Sequence, residues 1–297
     1  MLRIIADSTC DISKEDARKM GIQIVPISVR FGNEEFLDGV EITHEEFYTR
    51  LAECDELPKT SQPSPDTFMK VFNEAVAAGD DVLGIFISSD LSGTYQSACL
   101  AALDVEEETE KKLYMVDSRS ASIGTALLIR EAVKLRDAGV NAADIAAACT
   151  EMSKYIKLTA VVGSLKYLKM GGRLSGAAAF AGTMLHITPV VSIEDGKVVV
   201  IGKTRGKKAA EKLMHDKLTK DGLSLTRDFM FGHINCSESL ETFINKSLTY
   251  ISDVNGNVGV SSIGCSVGTH VGPGTYGIAY VEAAESGMNR ESIVKTA

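Results

Sequence analysis

Three stretches of the sequence carry residues whose types and spacing could hold an anion. In VLGIFISSDLSGTYQSA, residues 82–98, a mostly apolar run is followed by a Ser/Asp/Gly cluster and then by helix-forming residues from Tyr95 onward. That order predicts a buried strand, a tight loop and a helix start. Such a junction points unpaired amides outward with partial positive charge, at the carboxyl end of a strand, where open α/β sheets place their ligands. Ser92 is the candidate hydroxyl, and Gly93 lets a ligand approach the backbone. Helix capping by Ser88, Asp90 or Ser92 accounts for the same hydroxyls equally well. In KTSQPSPDTF, residues 59–68, Ser64 before Pro65 is a cap followed by a first turn, so capping explains Ser64. It leaves Thr60 and Ser61 in a Pro-bounded extended loop, either as ligand donors or as ordinary loop polarity. His270 lies in GTHVGPG, a Gly-rich turn where backbone and ligand can come close. The other histidines read differently: His44 and His215 as surface residues on helices, His186 and His233 as core or interfacial ones.

A frame is needed to bring these stretches together. Residues 2–6 form an apolar strand, and Ser13 with Asp16 resembles a capping box for a helix that Gly21 ends. Residues 22–31 alternate as a second strand, and residues 43–51 form an acidic amphipathic helix closed by Pro58. The helix after Ser64 runs to Gly79. A strand at 112–116 precedes a long helix ending near Gly139, and Asn141 with Asp144 caps one more helix to about residue 157. Repeated strand–helix alternation predicts a Rossmann-like parallel sheet with Ser8, Ser92 and Ser118 on one rim. The second half reads as α+β with a mainly antiparallel sheet. It has strand character at 160–162, a helix at 165–170 stopped by Gly171 and Gly172, and an apolar small-residue helix at 176–187. A hairpin at Asp195-Gly196, a basic helix at 207–220, a strand at 229–234 and a helix at 239–251 follow. The chain closes with an apolar stretch at 259–267, a turn through THVGPGTYG and a strand at 278–281. The expected fold class is α/β, with domains at 1–157 and 158–282 and a polar tail at 283–297.

The chain has 297 residues, 44% hydrophobic and 24% charged, which suits a globular protein with real cores. A formal charge of -9 argues against a nucleic-acid partner. Asp7 leaves no room for a secretory signal, so a cytoplasmic location is expected. Six scattered cysteines without a CxxC pair read as reduced thiols, and no histidine pair has metal spacing, so no metal is expected. Residues 174–193 and 255–281 are uncharged enough to mimic a membrane span, but His186, Pro189 and repeated glycines break them. GPGTYG at 272–277 matches GxGxxG, yet a strand follows instead of a helix, and no GxxxxGK[ST] loop is present. DLSGT lacks the first glycine of the GxSxG elbow.

Six stretches in order, DST at 7–9, KTSQPSP at 59–65, SSDLSGTYQSA at 88–98, VDS at 116–118, GGRLS at 171–175 and THVGPGTYG at 269–277, together resemble the DegV family. These are the fatty-acid-binding proteins that serve bacterial fatty acid kinase. The resemblance spans nearly the whole chain, and only the tail beyond about residue 282 lies outside it. It implies two domains with a ligand tunnel between them. One long-chain fatty acid such as palmitate or oleate is held there, with no cofactor and no catalytic residue. It also implies a carboxylate site at Thr60 or Ser61, Ser92, Gly93 and His270. The partners it implies are a fatty acid kinase subunit, docked through basic residues such as Arg173 and Arg205, and transient membrane contact. The rival function is a serine-histidine acyl hydrolase in which His270 activates Ser92.

Overall fold

Strand β1 (Leu2–Asp7) places Ile4, Ile5 and Ala6 fully inside, as a strand covered on both faces requires. The computed structural model describes residues 1–54, 56–176, 187–224, 226–249 and 256–283. After a 3-10 turn at Ser8–Cys10, helix α1 (Lys14–Met20) starts where the Ser13 side chain accepts from the Asp16 amide and ends at Gly21, φ +61°. Strand β2 (Ile22–Val25) then pairs parallel to β1. The single strand expected over 22–31 is in fact two. Pro26 has no amide to donate, so the ladder stops there. Strand β3 (Ser28–Phe31) turns instead into a three-stranded antiparallel sheet with β4 (Glu34–Leu37) and, after helix α2 (His44–Glu53), with β5 (Lys59–Ser61). Residues 59–61 are therefore an edge strand and not a loop.

Helix α3 (Pro65–Ala77), strand β6 (Asp81–Phe86), helix α4 (Thr94–Thr109), strand β7 (Leu113–Asp117) and helices α5 (Ile123–Asp137) and α6 (Ala142–Met152) complete the first half. The parallel sheet has the order β2-β1-β6-β7, which sets Ser8, Ser92 and Ser118 beyond strand ends on one rim. From β8 (Ile156–Val161) onward the chain builds a second sheet. Its other elements are helix α7 (Lys166–Met170), strands β9 (Thr188–Glu194) and β10 (Lys197–Thr204), helix α8 (Lys207–Asp221) and strand β11 (Phe229–His233). Helix α9 (Ser237–Leu248), strand β12 (Val258–Ser262), helix α10 (Cys265–Val271) and strand β13 (Tyr276–Val281) follow. The order is β10-β9-β8-β13-β11-β12, antiparallel except for β11 with β12. Asp195 and Gly196, both at positive φ, make the β9–β10 hairpin turn. The fold is α/β with one parallel and one mainly antiparallel sheet.

Helix α10 departs from the sequence expectation of an extended stretch and a Gly-rich turn. Its first amides are capped from far away, because the Asp38 carboxylate accepts from the backbone N–H groups of Cys265 and Ser266. His270 consequently sits in the last turn of a helix. His215, expected at the surface, is buried, with Nε2 2.9 Å from Ser247 Oγ and its ring stacked on Phe243. Helix α5 packs against β1 and β6 on one side and β8, β11 and β13 on the other, so a single apolar core joins the two sheets. Among the described residues no helix is long and apolar enough to cross a membrane. Most of the small-residue helix expected at 176–187 (with His186), the end of that at 239–251 and nearly all of the tail lie outside the described residues.

Candidate functional site

A cavity of about 150 Å³ opens beside the rim of the parallel sheet, where α5 and α10 meet the second sheet. Its walls follow from strand periodicity. Leu158 and Ala160 on β8, and Val191 and Ile193 on β9, are two residues apart and so share one sheet face. Ile87 after β6 and Ile123 at the start of α5 close it from the other half. The lining is thus aliphatic over most of its surface, which favours an alkyl chain.

The polar lining residues include a connected group. Thr60 on β5 and His270 on α10 meet with Oγ1 and Nε2 3.0 Å apart. Ser266 lies one turn before His270 on the same helix face and lines the same cavity. Arg173 donates from Nε to the Leu91 carbonyl at 3.1 Å and from Nη1 to the Gly171 carbonyl at 2.7 Å, which brings it beside Ser92. Gln62 donates from Nε2 to Ser97 Oγ at 2.8 Å and rests on Gly93, where a Cβ would come within 2.1 Å of its Oε1. Gln62 escaped the sequence reading, although it stands two residues from Thr60, just past the end of β5. Strand alternation separates Thr60 from Ser61. Thr60 lines the cavity, whereas Ser61 is exposed and does not.

Burial, and secondarily the Arg173 charge, push the His270 imidazole down to about 4, so the ring is neutral near pH 7. A neutral ring protonated at Nε2 donates to Thr60 Oγ1 and leaves the Thr60 hydroxyl hydrogen for a group in the cavity. Nδ1 is buried without a hydrogen-bond partner against Gly171, where a Cβ would lie only 2.3 Å away. Ser92 Oγ lies 2.9 Å from Thr94 Oγ1 and accepts from the Thr94 amide at 3.3 Å. Gly93 is the N-cap of α4, with no side-chain cap bond and no place in the lining. The Ser–His pair that an acyl hydrolase needs is not assembled, because His270 Nε2 is bonded to Thr60. The two basic residues expected at a docking face are also apart. Arg173 is half-buried in the cavity wall, while Arg205 is exposed beyond β10. Leu174 bridges Val198 at the opposite end of β10, so Arg205 lies roughly 20 Å further along at the rise of a strand.

Three buried carboxylates hold the loops behind this group. Asp7 accepts from the amides of Thr9 and Ile87, Asp11 from Ser122 Oγ and the Gly264 amide, and Asp38 from Ser8 Oγ and the first amides of α10. Burial raises the Asp7 carboxyl and raises that of Asp11 well above the usual range. Thr9, Ser122 and Ser266 thereby line the cavity at fixed positions. Of these, only the DST stretch carried a sequence signal.

A family model described as "Uncharacterised protein, DegV family" matches residues 1–283. A DegV domain-containing protein of Clostridium perfringens is 34% identical over 290 residues, covering 95% of this chain and 98% of the relative. The structure is similar to one described as fatty acid binding of a DegV family protein from Thermus thermophilus. The TM-score is 0.85 and the identity 30%, with 94% of this chain and 99% of the other covered. It is also similar to a stearic acid-binding protein from Eubacterium ventriosum, with TM-score 0.85, 29% identity and coverage of 96% and 100%.

Proposed function

The chain belongs to the DegV family, and on that premise we propose that it binds one long-chain fatty acid and presents it to a fatty acid kinase. The observation that carries this reading is the aliphatic cavity whose lining includes the Thr60–His270 pair. The acyl chain lies against β8 and β9, and the carboxylate accepts from the hydroxyls of Thr60 and Ser92 with His270 behind Thr60. Gly93 leaves room for Gln62 to lie against the α4 terminus beside that end, and Ser61 stays outside. The similar proteins from Thermus thermophilus and Eubacterium ventriosum, both described as binding fatty acid, support the ligand class.

Hydroxyl donors hold a carboxylate by charge-assisted bonds of about 1.5–3 kcal/mol each. Arg173 spends its Nε hydrogen and one Nη1 hydrogen on the Leu91 and Gly171 carbonyls, so its edge that pairs Nε with Nη is not offered whole to the carboxylate. A carboxylate oxygen held in this way can attack the γ-phosphorus of ATP carried by a partner, giving acyl phosphate and ADP. Exposed Gln62 and half-buried Ser92 put this end near the surface where such a partner reaches it. Arg205 and its basic neighbours are the docking side, for the kinase and for transient contact with anionic membrane, in the cytoplasm.

Native mass spectrometry of the purified protein, followed by organic extraction, tests the carrier reading. One equivalent of a fatty acid such as palmitate or oleate is expected. A protein that is empty and takes up neither from solution overturns it. Arg205→Glu is expected to slow acyl-phosphate formation by the kinase and leave fatty acid affinity unchanged; loss of both together removes Arg205 from the docking surface.

A further inference from the structure

We propose that Asp38, His44 and Cys265 form a site for a divalent transition-metal cation of the zinc type, separate from the fatty acid cavity. One ligand atom from each lies within 4.8 Å of the other two. The three come from the bend after β4, the first residue of α2 and the first residue of α10. Gly264 shows the same convergence independently. A Cβ built there would sit 3.0 Å from Asp11 Oδ1, 3.1 Å from His44 Nε2 and 3.4 Å from Asp38 Oδ1. The donors therefore close around a residue that offers no side chain to fill the space between them.

Charge supports a cation. Asp38 is buried, and among the described residues no ion pair reaches it. Backbone amides and hydroxyls offset this only in part, and buried anions are otherwise paired or bound to metal. A thiolate, an imidazole and a carboxylate together suit zinc, whereas calcium and magnesium take oxygen donors alone. A fourth position falls to Asp11 Oδ1 or to water. Zinc–ligand bonds of about 2.0–2.3 Å require the donors to draw in by roughly 1 Å. His44, half-buried at a helix start, is the side chain with room to move. As the metal–Sγ bond forms, the Cys265 proton leaves to solvent. Sequence spacing does not announce the site, because its residues lie far apart in the chain. Its effect is to tie the start of α10, which carries Ser266 and His270, to α2.

Titration of the chelator-stripped full chain with Co²⁺, followed by absorbance and then displaced by Zn²⁺, tests the site. Saturation at one equivalent is expected, with a thiolate-to-cobalt charge-transfer band that Cys265→Ser abolishes. His44→Ala should weaken binding by at least about tenfold, the loss typical even for outer-shell partners of metal ligands. Circular dichroism checks that both variants fold, and if Cys265→Ser does not, His44→Ala decides alone. Absence of the band in the wild type, or an unchanged titration in His44→Ala, overturns the proposal.

Discussion

Thr60→Val removes one hydroxyl and keeps the β-branched shape that β5 accommodates, so it isolates the bond on which the head-group model rests. Thr60 Oγ1 lies 3.0 Å from His270 Nε2, and with Nε2 as the donor the hydroxyl hydrogen is left for the carboxylate. A hydrogen bond to a charged acceptor contributes about 1.5–3 kcal/mol. At about 1.4 kcal/mol per decade, the variant should bind oleate roughly 10- to 100-fold more weakly. The stranded imidazole nitrogen adds an unfolding cost of about 1–3 kcal/mol, but it is stranded with or without ligand and so largely cancels from the affinity. The assay is displacement of a fluorescent fatty acid from delipidated protein by oleate, repeated with oleyl alcohol. The alcohol has the same chain and no charge, and at about 0.5–1.5 kcal/mol for a neutral bond it should lose roughly tenfold at most. Ser61→Ala is the adjacent control, because its side chain is exposed and outside the cavity lining. The reasoning fails if Thr60→Val binds oleate within about threefold of wild type, a difference under 1 kcal/mol, or if Ser61→Ala loses as much.

The depressed His270 value gives a pH dependence with a definite sign. Between about pH 6.5 and 4 the unfolded chain binds a proton that the native chain does not, so this stability is lost as pH falls through that window. Urea unfolding should show the wild type losing up to about 3 kcal/mol more than His270→Gln on acidification from neutral pH, and equal losses contradict the burial argument. Ala160→Phe projects a ring from the β8 face into the cavity, and at about 0.8 kcal/mol per displaced methylene it should shift extracted fatty acids toward shorter chains. An unchanged chain-length profile would place the acyl chain elsewhere. In Gly277→Ala, the new Cβ meets the Thr159 carbonyl oxygen at 2.3 Å and the Ala160 Cβ at 2.8 Å, across the β13–β8 ladder. Thermal unfolding should register a destabilisation of roughly 1–3 kcal/mol, and a wild-type midpoint would show that the ladder yields easily.

Local chemistry was enough to write much of the fold into the sequence. The Ser13–Asp16 cap of α1, the Ser64-Pro65 start of α3 and the Asp195-Gly196 hairpin depend on residues within a few positions of one another. Their physics is complete before the chain folds. The apolar runs of β1, β6 and β7 likewise announced a covered parallel sheet, and the hydroxyl stretches pointed to Ser92 and to Thr60 or Ser61. What only the tertiary structure decided involves partners distant in sequence. Helix α10 exists in a Gly-rich stretch because Asp38, 227 residues before Cys265, satisfies its first amides. His270 owes its neutral state to burial, which no neighbouring residue type reveals. Thr60 is distinguished from Ser61 only once pairing with β3 fixes which side of the strand faces inward. The cavity itself has one wall from each half of the chain, so its apolar shape is a property of how the two sheets pack across α5, and no single segment contains it.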